Sequence, residues 1–376
     1  MAETPQRSRE EVAKEEIGRT DVSPAVAAFL VSLFLASVYV VPLLQHLDEV
    51  SLFMRGARLT WVPSCYSIVK SVPACWERFE VTPGGLPSRV VAANRLLLRD
   101  MRHYKDAQEE SSWLTRALLP RTQWVLTRWL GVGNEKVYLG GDDWLFYRPD
   151  VDYVTGPGFL SERHVANRLK AREEWETVPQ PDPVRAIVDF HEQLKARGMH
   201  LLVMPTPMKP MIHPEKLSPS LRKPGTVVQN ASFAAFMAQL RARGVHVFDC
   251  SGLLAEELRR TGQPQYLAGD THWRPEAMCR VAEALAAVIQ ESGRLPPAVT
   301  VRCRQEPSAL SSIGDIRLML DLPQGRGPDP LETVRIRQVL SPDNELWKPD
   351  RNADVLVLGD SFSNIYSMPS MGWGES

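Results

Sequence analysis

The chain has 376 residues, 24% charged and 44% hydrophobic, with a formal net charge of -1. That length supports a substantial core and more than one structural unit. The balanced charge gives no global field for nucleic acid, so no nucleic-acid partner is expected.

Five cysteines, Cys65, Cys75, Cys250, Cys279 and Cys303, form no CxxC pair and no zinc spacing. No metal and no cofactor are expected. Cys65 and Cys75 are the only close pair, and a bridge between them is open if that segment is extracytoplasmic. Cys250 and Cys279 lie in apolar settings and read as buried thiols.

In chain order, residues 1–24 form a tail carrying Arg7, Arg9, Lys14 and Arg19. The run AVAAFLVSLFLASVYVVPLL, Ala25 to Leu44, holds no charge and has the length of a bilayer-crossing helix. Residues 25–45 are therefore expected to be an uncleaved single-pass anchor. The rival, a cleaved signal peptide, is disfavoured by the length of the run and the lack of an A-x-A site after it. The basic residues upstream put the N-terminus in the cytoplasm and all that follows outside it.

Residues 46–134 read as a helical neck. RVVAANRLLLRDMRHY has apolar residues at helical spacing. The following segment carries Trp113, Trp124 and Trp129 together with Arg116, Arg121 and Arg128. Such a helix can lie at a headgroup interface or pack on the following domain, and packing is the favoured reading.

From Glu135 to Ser376 the pattern changes to that of an α/β domain. EKVYLGGDDWLFYRPD reads as a hairpin turning at Gly140 and Gly141. A helix over Pro183–Gly198 leads to a strand over Met199–Pro207. A helix over Ala231–Gly244 leads to a strand over Val245–Asp249. A third helix runs over Arg274–Gly293, and ADVLVLGDSFS, Ala353 to Ser363, reads as a central strand entering a tight turn. The alternation implies a mostly parallel, doubly wound sheet, with ligands bound beyond the carboxyl ends of its strands.

Two segments carry chemistry. YLAGDTHWRPEA holds Asp270 and His272 between a strand and a helix, and VLVLGDSFS presents Ser361 after a sharp turn at Gly359. A serine hydroxyl needs a base within hydrogen-bond reach, and His272 is the candidate, with Asp270 to orient it. Backbone N–H groups beyond Ser361 can stabilise an oxyanion. A metal site on Asp270 and His272 would need a third ligand. His213, Asp249 and Asp360 are at hand, but none lies at a recognisable metal spacing. The triad is the favoured reading.

GDTHW followed by LGDSFS resembles the alginate O-acetyltransferase family of the AlgX/AlgJ type. GDDWLFYRPD, Gly141 to Asp150, resembles the family's G-x-x-G-W-L-F-Y segment, with Asp143 where glycine is usual. VMPTPMKPMIHPEKL, Val203 to Leu217, resembles its proline-rich loop with a lysine. The resemblance implies an SGNH-hydrolase-like domain in which Ser361 is the nucleophile, His272 the general base and Asp270 its orienting acid. It implies transfer of an acetyl group, through an acetyl-serine, to hydroxyls of an extracytoplasmic polysaccharide. It also implies a membrane-bound O-acyltransferase as the partner delivering acetyl groups, and a periplasmic domain held at the bacterial inner membrane. The sequence lacks a carbohydrate-binding module and so lies nearer the membrane-anchored AlgJ-like branch.

Lys209, Tyr266 and Trp273 are candidate polymer contacts, with Trp273 weighted towards packing under the His272 loop. His213 reads as a surface histidine. A carbohydrate acetylesterase with the same triad and a non-catalytic scaffold of a secretion complex are the alternatives. Fifteen residues follow Ser361. They are too few and too rich in glycine, proline and serine for the expected helix and further strand, so the chain reads as a truncated form with a poorly supported serine.

Overall fold

The chain divides into two units, Met1–Leu119 and Pro120–Ser376, in a computed structural model that describes residues 23–56, 64–170, 180–221, 225–295, 303–323 and 331–374. The tail residues expected to set orientation, and the Cys65 side chain, lie outside the described residues.

In the first unit, Ser23 caps helix α1 (Pro24–Met54) by accepting the Val26 N–H at 3.3 Å. Among the described residues α1 is the one helix long and apolar enough to cross a membrane. Its most apolar 18-residue window has mean hydropathy 2.4 and is not covered by protein. Where the apolar run ends, polar residues become buried. Gln45 and Glu49 bond at 2.7 Å, Glu49 accepts the Ser64 N–H, and Gln45 accepts the Trp113 N–H. The lower end of α1 is thus tied by hydrogen bonds instead of apolar contact. Helices α2 (Ser71–Val81), α3 (Leu86–Ser111) and α4 (Trp113–Leu130) follow, and α4 carries residues of both units. Trp113 and Trp129 are exposed on α4. Cys75 has a free thiol.

The second unit starts with the expected hairpin. β1 (Val137–Leu139) pairs antiparallel with β2 (Leu145–Tyr147), Val137 opposite Tyr147. Its loop takes Asp142 and Asp143 through left-handed backbone, φ 54° and 60°. Aspartate is among the few non-glycine residues that tolerate this region, which accounts for an acid at position 143 where glycine was expected.

Helices α5 (Arg148–Thr155) and α6 (Glu162–Lys170) come next, then α7 (Pro183–Lys195), which Asp182 caps through the Val184 N–H at 2.9 Å. β3 (Leu202–Val203) leads through short α8 (Lys209–Ile212) and α9 (Pro214–Leu217) to α10 (Phe233–Ala242). β4 (His246–Val247), α11 (Ser251–Thr261) and α12 (Pro275–Glu291) complete the alternation. β5 (Arg304–Ser312) and β6 (Glu332–Leu340), with α13 (Asp315–Met319) between them, form a nine-residue antiparallel pair that the alternating pattern did not suggest. Helix α14 (Ser361–Asn364) is last.

The parallel component is small. β3 and β4 pair over two residues each, Leu202 with His246 and Val203 with Val247. Residues 353–358, expected as a central strand, form no ladder among the described residues, and Leu356 and Leu358 are 80% and 75% exposed. A strand is stabilised by neighbours on both sides and both faces; this segment has the composition for that setting without the setting. The main core lies elsewhere. It gathers Phe146, Ile212, Leu254, Tyr266, Leu267, Trp273, Val334, Ile336, Ile365, Tyr366 and Trp373. Cys250 belongs to it, while Cys279 is exposed, contrary to expectation.

Candidate active site

The core surrounds a closed loop. Tyr266 and Trp273 face each other across an antiparallel bridge. The Leu267 N–H donates to the His272 carbonyl at 3.1 Å, and the Arg274 N–H to the Gln265 carbonyl at 2.9 Å. Asp270 and His272 are held inside, 1% and 3% exposed. Two glycines let the loop approach its neighbour. Gly314 has φ 85°, and a Cβ there would stand 2.5 Å from the Gly269 carbonyl oxygen. That closeness brings α13, and with it Asp315, against the loop.

Asp270 has every acceptor used. Oδ1 takes the His272 N–H at 3.0 Å and His272 Nδ1 at 2.6 Å. Oδ2 takes the Trp373 indole N–H at 2.9 Å and the Asp315 N–H at 3.0 Å. Burial alone would raise its pKa. The bond and charge of His272, with the Trp373 and Asp315 donors, reverse that and hold the carboxyl below its ordinary range. With Nδ1–H committed to Asp270, Nε2 of His272 is the lone-pair nitrogen. That Nε2 is buried and has no hydrogen-bond partner. It is the free basic atom of the site.

Ser361 starts α14, half-buried. The Asp360 carboxylate caps the turn by accepting the Phe362 N–H at 3.0 Å. Gly359 is required, since a Cβ there would meet Ser363 Oγ at 1.9 Å. The turn is pinned to the His272 loop one residue beyond the serine. Trp273 Nε1–H donates to the Phe362 carbonyl at 3.0 Å, and the Phe362 ring lies 4.8 Å from the His272 ring and 5.3 Å from that of Trp273. Tyr366 donates its hydroxyl to the Trp273 carbonyl at 2.7 Å. Ser361 makes no hydrogen bond to His272 Nε2. The Asp270–His272 half is closed and the serine half sits beside it, unbonded. Such contacts are often loose before substrate binds.

The three expected polymer contacts lie elsewhere. Lys209 is 1% exposed, and its Nζ donates to the carbonyls of Leu145 at 2.6 Å and Ala268 at 3.1 Å. It ties the first hairpin to the His272 loop and has no surface for a sugar. Burial pushes its pKa down to about 7, against the opposing charges of Asp270, Asp315, Glu332 and Asp150. Tyr266 is fully buried and donates its hydroxyl to the Pro207 carbonyl. Trp273 is 3% exposed and packs under the loop. His213 is also core and not surface. Its Nδ1 meets Glu215 at 3.0 Å, its Nε2 accepts the Gln265 N–H at 3.0 Å, and burial lowers its pKa.

Several residues were missed from sequence. Trp373 is 1% exposed within a tail that read as too short and too rich in glycine, proline and serine for a helix and a further strand. The GWG triplet was its signal: Gly372 has φ 78°, and a Cβ at Gly374 would meet Met368 backbone at 2.5 Å. Asp315 had only a short GD as its trace, and Asp150 none beyond the resemblance. Burial raises the Asp150 carboxyl to about 6.

Asp270, His272 and Asp315 place three ligand-type atoms within 4.8 Å of one another, the described residues' one such cluster. Asp270 spends its acceptors on N–H donors, which suits proton handling better than cation binding. At the carboxyl ends of β3 and β4, where a ligand was expected, a cavity of about 40 Å³ lies between Pro205, Pro207, Met208, Gln229 and Asp249. That is room for water and not for a sugar.

Residues 137–370 match the family described as SGNH hydrolase-like domain, acetyltransferase AlgX. The alginate biosynthesis protein AlgX of Pseudomonas aeruginosa is 29% identical over 167 residues, covering 44% of this chain and 30% of the relative. The probable alginate O-acetylase AlgJ of Pseudomonas fluorescens is 28% identical over 241 residues, covering 61% and 54%. The O-acetyltransferase domain of Pseudomonas putida AlgJ is a structural neighbour at TM-score 0.40 and 21% identity, covering 55% of this chain and 66% of that one. The chain thus spans about a third to a half of the length of the curated relatives it matches. The family match extends over more than half of the sequence, from the first hairpin to the tail beyond Ser361: the protein belongs to the AlgX-type, SGNH hydrolase-like acetyltransferase family.

Proposed function

We propose that the protein is a membrane-anchored O-acetyltransferase that moves an acetyl group through Ser361 onto hydroxyls of an alginate-like polysaccharide outside the cytoplasm. The observation carrying the reading is the buried Asp270–His272 pair with Nε2 free and the Ser361 turn fastened beside it.

In the first half-reaction, Ser361 Oγ attacks the acetyl carbonyl and His272 Nε2 takes the hydroxyl proton. The leaving group departs with that proton, leaving acetyl-Ser361. In the second, a sugar hydroxyl gives its proton to Nε2 and attacks the acetyl-serine, which releases the acetylated polymer and returns the proton to Ser361. Asp270 holds Nδ1–H throughout and stabilises the imidazolium formed in each half. A charge kept in a site of low exposure is worth more than one in water. The acetyl group comes from a membrane-bound O-acyltransferase partner, with α1 as the tether at the bacterial inner membrane.

The test supplies the full chain in detergent with p-nitrophenyl acetate and alginate oligosaccharides. The wild type yields O-acetylated oligosaccharide and Ser361→Ala yields none. Acetate alone, with no acetylated oligosaccharide, would assign an esterase. Equal product from Ser361→Ala would remove the serine from the mechanism.

A further inference from the structure

Asp315 has no part in the triad, yet it is built into it. Its Oδ1 accepts the Thr271 N–H at 2.8 Å and its Oδ2 accepts the Thr271 hydroxyl at 2.6 Å. The same hydroxyl oxygen lies 3.0 Å from His272 Nδ1, and Asp315 Oδ2 lies 3.9 Å from that nitrogen. The Asp315 N–H donates to Asp270 Oδ2 at 3.0 Å. Two carboxylates therefore flank one imidazole nitrogen, one directly and one through threonine.

The direction of the threonine hydroxyl follows from chemistry. A carboxylate can only accept, so the Thr271 proton points at Asp315. The lone pairs of Thr271 Oγ1, and not its proton, then face Nδ1. Nδ1–H is held between two acceptors, Asp270 Oδ1 and Thr271 Oγ1. This fixes both the tautomer and the ring plane, and leaves Nε2 as the base.

We propose that Asp315 is a positioning residue for His272: through Thr271 it sets the tautomer and orientation of the imidazole, and its charge supports the protonated form. The proposal rests on the reading of His272 as the general base. The other groups facing His272 are Asp270 on its own loop and Asp150 from α5, which acts by charge, while Lys209 from α8 acts by charge on Asp270 and Asp315. From the serine side it meets the neutral ring of Phe362. Burial and the nearby Asp270 charge hold the Asp315 carboxyl above its ordinary range, as expected for the second of two acids sharing one site.

The experiment reads His272 directly and needs no turnover. Full-length protein labelled with 15N and 13C in histidine only is titrated in detergent micelles, with His272→Gln identifying the His272 signals. In Asp315→Asn, His272 is expected to protonate about one pH unit lower than in the wild type, the order of shift a nearby opposite charge gives. Its 15N signature is expected to lose the pure Nδ1–H form. Thr271→Val, which keeps the charge and removes the hydroxyl, is expected to shift the midpoint in the same direction by less. An unchanged midpoint and an unchanged 15N signature in Asp315→Asn would overturn the proposal. If that variant does not fold, the same unchanged result in Thr271→Val overturns it. An inactive wild type would instead count against the acetyl-transfer reading, and the titration would stand independently of it.

Discussion

His272 shows how single residues are set by their neighbours. Its Nδ1 faces Asp270, and Asp270 in turn is held by Trp373. Trp373→Phe keeps an aromatic ring and removes one N–H bond to a charged carboxylate, worth about 1.5–3 kcal/mol. Asp270 has a folded pKa below its unfolded value of 3.8. The stabilisation linked to its ionised form is therefore present above that value and lost as pH falls through the folded pKa. The stability gap between wild type and Trp373→Phe, from urea melts across pH, is expected to be present at neutral pH and to close in acid. A gap that does not depend on pH would mean that the indole acts only as packing.

Lys209 gives the same sign in a higher pH window and for a different reason, because burial disfavours its charged form. Its folded pKa of about 7 lies below the model-compound value of 10.5, so between these values the unfolded chain binds more protons. Stability should therefore rise from pH 7 towards 10.5 through this group, and Lys209→Met should remove that rise. Thermal melts at stepped pH check it. A lysine was visible in the proline-rich loop, but its burial was not. Sequence distance does not reveal that Leu145 and Ala268 present carbonyls to the same ammonium.

Among elements, the closest fit between pattern and structure is in the first hairpin, in α7 and in α12, where turn residues, an aspartate cap and an N-terminal proline act locally. The β5–β6 pair escaped because β5 carries mixed, mostly exposed residues, and because β6, although it alternates buried Val334 and Ile336 with exposed neighbours, finds its partner only through long-range pairing. The expected strand over residues 353–358 failed the other way: its composition is that of a buried strand, but pairing depends on neighbours that a local pattern cannot supply. The tail was misjudged for a similar reason. Ile365, Tyr366 and Trp373 are buried in the main core, although glycine, proline and serine surround them. The packing of α13 against the His272 loop rests on Gly314. Gly314→Ala forces a left-handed residue and a clash with Gly269, at a cost of about 1–3 kcal/mol from the backbone conformation alone. The expected outcome is a lower urea midpoint together with loss of esterase activity. An unchanged midpoint would show that the loop can yield.

Across the whole chain, the sequence was most legible where chemistry concentrates. Asp270, His272 and Ser361 stood out because their residue types sit beside strand and helix signals, and the first two prove to be a bonded, buried pair. Of the supporting residues, Asp315 and Trp373 reach the site across the fold, and the roles of Thr271 and Phe362, although each neighbours a candidate residue in sequence, depend on those long-range contacts. The long apolar helix was legible from composition alone, and α1 has the length and hydropathy to cross a bilayer.

The most direct measurement is peptide mass spectrometry of the full chain after brief exposure to p-nitrophenyl acetate and acid quench. The expected result is acetylation of the peptide containing Ser361 in the wild type, its absence in Ser361→Ala and its strong reduction in His272→Gln. A wild-type chain that releases nitrophenol with no acetyl group on Ser361, at a rate Ser361→Ala leaves unchanged, would contradict it.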